Sequence, residues 1–382
     1  MHKPLLFSTL LLSCCVSLTA NAGVEEQRIG AASTAMPQVV DRYQAFVEDL
    51  GTSYARQNDE LKVTQMVAQL GKRVWQQAVR DVQSGHPDDR SLYWSRLKMR
   101  QLLSDAKPAF NIADWQKQIL IKAVEKSSRG FSDIEYADDT NIKILLTGFD
   151  PFFLDRHIDQ SNPSGLVALA LDGYRFQANG KNVQIETVMI PVRFADFDEG
   201  IIESLLTPVY RDKQVDMVIT VSMGRDNFDI ERFPGRNRSA KAPDNRNVYI
   251  GADKTHPKAP MLDGKTLNGP EFVEFSLPVN AIAQVSGRWP INDNHQVTTL
   301  SRGTFTASSL AELQNATSVE GSGGGYLSNE ISYRSILLRD QLGSPIPTGH
   351  IHTPRLTSYD AEMEQAIVEQ MKQMIAAAAA TL

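Results

Sequence analysis

Cysteine is almost absent. The 382 residues contain two, Cys14 and Cys15, both within the first 22 positions. This excludes a disulfide framework, a zinc site built on thiolates and a cysteine nucleophile anywhere beyond residue 22. Positive charge is not in excess either. With 39 Lys and Arg against 45 Asp and Glu, mixed along the chain, no nucleic-acid partner is expected. Long apolar runs are also missing. The run over residues 5–16 is too short to span a bilayer. With Lys3 before it and Ala20-Asn21-Ala22 after it, the run has the form of a secretory leader cleaved ahead of Gly23. Leu11-Leu12-Ser13-Cys14 is a poor lipoprotein signal, so export to a bacterial periplasm is the expectation. A chain without thiols suits that oxidising compartment.

What is present divides into two patterns. Over residues 23–140, apolar residues recur at helical spacing in four groups: Val39 to Leu50, Met66 to Val82, Leu92 to Leu103, and Trp115, Ile119, Leu120 and Val124. Gly85-His86-Pro87 and Lys107-Pro108 break them. The expectation is a small all-helical domain serving packing or self-association into a homo-oligomer, with a cap over a site as the sharper alternative. The polar stretch 133–141 reads as a linker. Over residues 141–382, short apolar strands (142–146, 183–190, 217–221, 317–320 and 349–352) alternate with helices that follow Asn162, Ala195, Ser328 and Ser358. That alternation predicts an α/β fold, a three-layer α/β/α sheet. Ligands of such sheets sit at the carboxyl ends of the strands. The Ser/Thr-rich stretch 292–313 reads as an extra loop or hairpin.

Four stretches carry chemistry. Gly148-Phe149-Asp150-Pro151-Phe152 follows a strand, with Asn162-Pro163-Ser164 shortly after it. Gly224-Arg225-Asp226-Asn227-Phe228-Asp229-Ile230-Glu231-Arg232 follows another, and closes near Pro243-Asp244-Asn245. The glycine-rich run 321–325 leads through Tyr326-Leu327-Ser328-Asn329 into a helix, and Gly349-His350-Ile351-His352-Thr353-Pro354 forms the last strand. Ser328 stands where helix-terminal N–H groups favour a developing anion, although serine is equally a good helix N-cap. His350 and His352 lie on one face of a strand, but no third ligand has clear metal spacing, so no metal site is expected. Glu231 is a candidate to orient a histidine, with Asp229 the runner-up and a surface ion pair the plain alternative. Two aromatics flanking a proline belong to the core by composition alone.

In this order the four stretches resemble pyroglutamyl peptidase I, a family of cysteine peptidases, over residues of about 141–380. The resemblance implies a nucleophile–histidine–acid triad at Ser328, His352 and Glu231. It implies a pyroglutamyl pocket at Phe149 and Phe152 supported by Asn162, and no cofactor. The chain departs from the family at two points: serine occupies the nucleophile position, and a family arginine near the site falls on Lys241. The expected activity is removal of N-terminal pyroglutamate from peptides by an exported hydrolase. The alternatives are a pseudo-peptidase that binds such peptides or a protein partner, and an amidase or acyl hydrolase with another substrate.

Overall fold

A computed structural model describes residues 23–382; the leader-like segment and both cysteines lie outside the described residues. Six helices come first: α1 (Ile29–Ala35), α2 (Pro37–Val40), α3 (Gln44–Arg56), α4 (Glu60–Gln83), α5 (Arg90–Asp105) and α6 (Asp114–Ser127). Twelve strands and six more helices follow. The strands are β1 (Ile142–Phe149), β2 (Tyr174–Ala178), β3 (Lys181–Ile190), β4 (Met217–Met223), β5 (Phe228–Glu231), β6 (Met261–Leu262), β7 (Lys265–Thr266), β8 (Ile291–Asn294), β9 (Gln296–Thr299), β10 (Gly303–Thr306), β11 (Ser318–Glu320) and β12 (Thr348–Thr353). The helices are α7 (Pro163–Leu171), α8 (Phe194–Asp198), α9 (Ile201–Arg211), α10 (Val279–Ile282), α11 (Leu327–Gln341) and α12 (Ala361–Ala379).

The central sheet has seven strands in the order β2-β3-β1-β4-β12-β5-β8. β3, β1, β4 and β12 run parallel, β2 closes one edge antiparallel, and β5 runs antiparallel to β12. Strand side chains alternate between faces, and both faces are apolar. Ile144, Leu146, Met217 and Ile219 join one buried cluster, while Leu145, Val188 and Val218 join another. α9 and α11 cover the second face through Ile202, Leu206, Ile331 and Leu338. This is the three-layer α/β/α arrangement expected from the alternation of elements.

The N-terminal helices build one small cluster largely of their own, Ala32, Val40, Tyr93, Trp94 and Leu97 with Leu154, and otherwise share the core of the sheet. Val67, Val74 and Trp75 of α4 and Leu120 and Val124 of α6 belong to the same cluster as Ile144 of β1, Leu166 of α7 and Met371 of α12. The Trp75 indole donates to Asp172 Oδ2 at 3.1 Å, just beyond α7. The segment read as a linker is fastened too. Tyr136 donates to the Ile144 carbonyl at 2.9 Å, and the Gln184 amide pairs with the backbone of Glu135 and Ala137.

Three expectations need correction. Residues 317–320 do not enter the central sheet, because β11 pairs with β9 in a small antiparallel sheet with β10. Trp115 and Ile119 are exposed at 63% and 45%, so α6 buries a narrower stripe through Leu120 and Val124. The stretch 292–313 is more than an added hairpin. Its first residues belong to β8, held in the central sheet by parallel pairing with β5.

One contact joins β1 to the helix that follows it. A Cβ added at Gly148 would lie 2.1 Å from the Ser164 carbonyl oxygen in the first turn of α7. The Ser164 hydroxyl also accepts the Phe149 amide at 3.1 Å. Gly148→Ala is therefore expected to cost about 1–3 kcal/mol, the usual range for overpacking. Urea unfolding of the two proteins side by side measures it, and an unchanged midpoint contradicts the close approach.

Candidate active site

The carboxyl ends of the parallel strands gather the residues. A row runs across four strands. Ser222 of β4 is in register with His352 of β12, and Glu231 of β5 is in register with Asn294 of β8. β5 pairs Asp229 with His352 across the antiparallel ladder, so Glu231 reaches the same imidazole diagonally. His352 Nδ1 lies 2.5 Å from Glu231 Oε1, with Glu231 fully buried and His352 5% exposed. Asn294 Nδ2 donates to Glu231 Oε2 at 2.9 Å and to the Ser322 carbonyl at 3.0 Å. The acid is thus tied both to the histidine and to the glycine-rich loop.

That loop is tightly seated. Asn329 pairs with both backbone groups of Gly235, accepting the amide at 3.0 Å and donating to the carbonyl at 2.7 Å. A Cβ at Gly321 or at Gly325 would lie 2.0 Å from Asn329 Oδ1 or Ser239 Oγ respectively. The loop delivers the chain into α11 with Tyr326 as N-cap, making Ser328 the second helical residue. Ser328 is therefore not the cap; it stands among the N–H groups of the first turn, which have no intrahelical acceptor. Its hydroxyl donates to the Gly323 carbonyl at 3.3 Å, and His352 Nε2 has no hydrogen-bond partner among the described residues.

Ser328 lines a cavity of about 40 Å³ with Phe149, Phe152, Asn162, Val192, Ser222 and Tyr326. Phe149 serves two purposes. It belongs to the buried core, stacked parallel to Phe197 at 6.3 Å, and it also forms part of the cavity wall. Asn162 caps α7, accepting from the Ser164 amide at 3.1 Å and donating to the Asp150 carbonyl at 2.9 Å. The segment 243–245 closes another side. Tyr326 donates to the Pro243 carbonyl at 2.7 Å, Asp244 accepts the Phe194 amide at 2.9 Å, and Asn245 donates to the Pro151 carbonyl at 2.9 Å.

Ser328, Phe149, Phe152 and Asn162 therefore share one cavity, and Glu231 and His352 form the adjoining buried pair. Lys241 is not brought to them: its side chain is 77% exposed and faces Asp253 at 3.6 Å. Asp229, the second candidate acid, is held by Asn292 Nδ2 at 2.8 Å. His350 is fully buried between Thr220 and Ser222, 2.8 Å from each hydroxyl. Burial, helped by His352, pushes its pKa well below the usual histidine value, so His350 is a neutral structural bridge. No group of three metal-ligating side chains occurs among the described residues.

Sequence reasoning missed Asn294 because its strand carries one apolar residue in the run Ile-Asn-Asp-Asn. The signal that was available is the Asn292/Asn294 alternation, which mirrors Asp229/Glu231.

The fold and site define an α/β protein with a buried acid–histidine pair beside a serine at a helix N-terminus. Two family models match the chain: the PA0049 N-terminal domain over residues 8–125 and the PA0049 C-terminal domain over residues 143–316 and 306–357. The chain belongs to the PA0049 family. It is 30% identical over 400 residues to the uncharacterized protein PA0049 of Pseudomonas aeruginosa, a match that covers 81% of this chain and 71% of that one. Among solved structures it is similar to pyrrolidone carboxyl peptidase from the hyperthermophile Pyrococcus furiosus. One mutant of that enzyme matches at 24% identity over 62% of this chain and 98% of its own, with a TM-score of 0.43. A second matches at 24% identity over 63% and 100%, with a TM-score of 0.44.

Proposed function

We propose that this protein hydrolyses the amide bond after an N-terminal pyroglutamyl residue, with Ser328 as nucleophile, His352 as general base and Glu231 orienting the imidazole. The observation that carries the reading is the Glu231–His352 contact at 2.5 Å beside the cavity that holds Ser328 and the aromatic turn. The four motifs that resemble pyroglutamyl peptidase I supply the substrate class.

In this mechanism Ser328 Oγ attacks the lactam-bearing carbonyl and His352 Nε2 takes its proton. N–H groups of the first turn of α11 receive the oxyanion. His352 then protonates the leaving amine, and water repeats the sequence on the acyl-enzyme. Phe149 and Phe152 present flat apolar surface to the lactam ring.

A second reading has one observation in its favour. Ser328 donates to the Gly323 carbonyl, not to His352, and a serine hydroxyl without its base does not attack. Catalytic contacts are often loose until substrate binds, so the first reading requires the hydroxyl to leave Gly323 and meet His352 Nε2 in the substrate complex. On the second reading the protein binds pyroglutamyl ends without turnover.

Release of a fluorophore from a pyroglutamyl amide, compared with the corresponding prolyl and alanyl amides, separates the readings. Turnover of the pyroglutamyl amide alone is the expected result. Turnover only after Ser328→Cys favours the binding role, and turnover of none by either protein overturns the substrate class.

A further inference from the structure

Beside the backbone bonds of Phe149 to Ser164 and of Asp150 to Ile190, three ties that fix the aromatic turn 149–153 come from the N-terminal region or from a residue it holds. Asp150 lies between the two phenylalanines and is 1% exposed. Its carboxylate takes Arg96 of α5 at 2.8 Å and Arg129, just past α6, at 2.7 Å. Arg96 is itself locked by Ser128, whose hydroxyl and carbonyl each accept at 2.9 Å. The second tie runs through Asn162. Asp89, at the start of α5, accepts the Asn162 amide at 3.1 Å, and Asn162 in turn donates to the Asp150 carbonyl. The third begins ahead of α1. Arg28 donates to the Asn245 carbonyl at 2.5 Å, and the Asn245 side chain holds the Pro151 carbonyl.

The charges around Asp150 form one closed network. Arg193, which follows the cavity residue Val192, meets Glu125 of α6 at 3.0 Å and Glu25 at 2.7 Å, and Arg100 of α5 joins Glu25 and Glu125. Burial favours the neutral acid, yet Arg193 and Arg100 hold Glu25 down at about 2, so it stays ionised. Buried ion networks of this kind contribute little net stability compared with apolar packing. Their retention here calls for a geometric reason, and the turn they converge on forms the wall beside Ser328.

We propose that the N-terminal helical region is a positioning element of the active site, acting through Arg96 and Asp150 to hold the aromatic turn against the nucleophile loop. The consequence for ring binding rests on the pyroglutamyl reading; the placement of the turn does not. Arg96 and Asp150 are positioning residues here, since neither lines the cavity.

The test pairs hydrogen exchange with kinetics on the full chain. Three amides report on the turn directly: Phe149 on Ser164, Asp150 on the Ile190 carbonyl and Asn162 on Asp89. Arg96→Met is compared with Val67→Ala, which opens a cavity in the same helical region but touches none of these groups. Arg96→Lys keeps the charge but loses the planar fork, and stands in where the methionine variant does not fold.

The expected result is faster exchange at the three amides and a fall in kcat/KM of roughly 100-fold, carried mainly by KM, in the Arg96 variants alone. Equal exchange and equal kinetics in the Arg96 and Val67 variants would show that Arg96 serves only general stability, and would overturn the proposal. The exchange measurement needs no turnover. A parent that hydrolyses nothing therefore defeats the pyroglutamyl reading while exchange still decides the placement of the turn.

Discussion

Glu231→Gln is expected to lower kcat for a pyroglutamyl amide by on the order of 10⁴, against on the order of 10⁶ for Ser328→Ala, the gradation seen when an orienting acid and a nucleophile are removed separately. The reason lies in the second partner of the acid. Asn294 Nδ2 donates to Glu231 Oε2, so a glutamine at this position must present its oxygen to Asn294 and its amide nitrogen to His352 Nδ1. An NH₂ group facing Nδ1 forces that atom to accept, which moves the imidazole proton to Nε2. His352 then has no lone pair to offer Ser328. The substitution keeps volume and hydrogen-bond count, so its effect is on the tautomer and not on packing. Exchanging Asn294 as well, Glu231→Gln with Asn294→Asp, lets the glutamine turn its oxygen toward His352 and is expected to recover part of the loss. Steady-state kinetics of the single and double variants decide the matter. A single variant as active as the parent removes Glu231 from the mechanism.

The residues of this row differ in how plainly the sequence announces them. The alternation of strands and helices after residue 141 is strong because β1 and β4 are buried on both faces and are mainly apolar, and β3, though it carries Gln184 and Glu186, ends in the apolar run Val188-Met189-Ile190. Phe149, Asn162, Ser328 and His352 stand at the ends of such strands or the starts of such helices, where a pattern has an edge to be noticed. Asn294 has no such edge. Its strand forms because β5 offers a free side for parallel pairing, a tertiary effect that overrides the weak local preference of Asn and Asp for strands.

The same blindness applies to the N-terminal region. Periodicity placed its helices, but a helical pattern records only apolar faces. Arg90, Arg96 and Arg100 are buried in α5, and nothing in the pattern of one helix shows that carboxylates from Asp88, Asp150, Glu25 and Glu125 neutralise them. Lys241 marks the opposite case. A motif position transfers a residue in sequence, while the loop geometry around it sends the side chain outward to Asp253.

Glu364→Gln is expected to stabilise the protein at alkaline pH and to change little near pH 4.5. Glu364 of α12 is 1% exposed, with Oε1 accepting from Ser161 Oγ at 2.6 Å and Oε2 without a partner. Burial raises its pKa from 4.5 to about 8, against the hydrogen bond from Ser161 and with the charges of Asp88 and Asp360 adding to the rise. Asp89 is buried close by with Oδ1 also unpartnered, and burial together with Glu364 raises it as well. The sign follows from proton counting. Between pH 4.5 and about 8 the folded chain keeps a proton on Glu364 that the unfolded chain has released. Stability therefore falls as pH rises through that window, and levels off above it. The full span corresponds to roughly 3–5 kcal/mol at about 1.4 kcal/mol per unit. Glutamine carries no titrating proton and can still accept from Ser161, so it escapes this loss. Asp172 and Glu186, which burial raises to about 6 and about 7, titrate in the same window but in both proteins, and cancel in the difference. Urea midpoints of parent and variant at pH 5, 7 and 9 should separate progressively, and parallel curves would show that Glu364 is ionised in the folded chain.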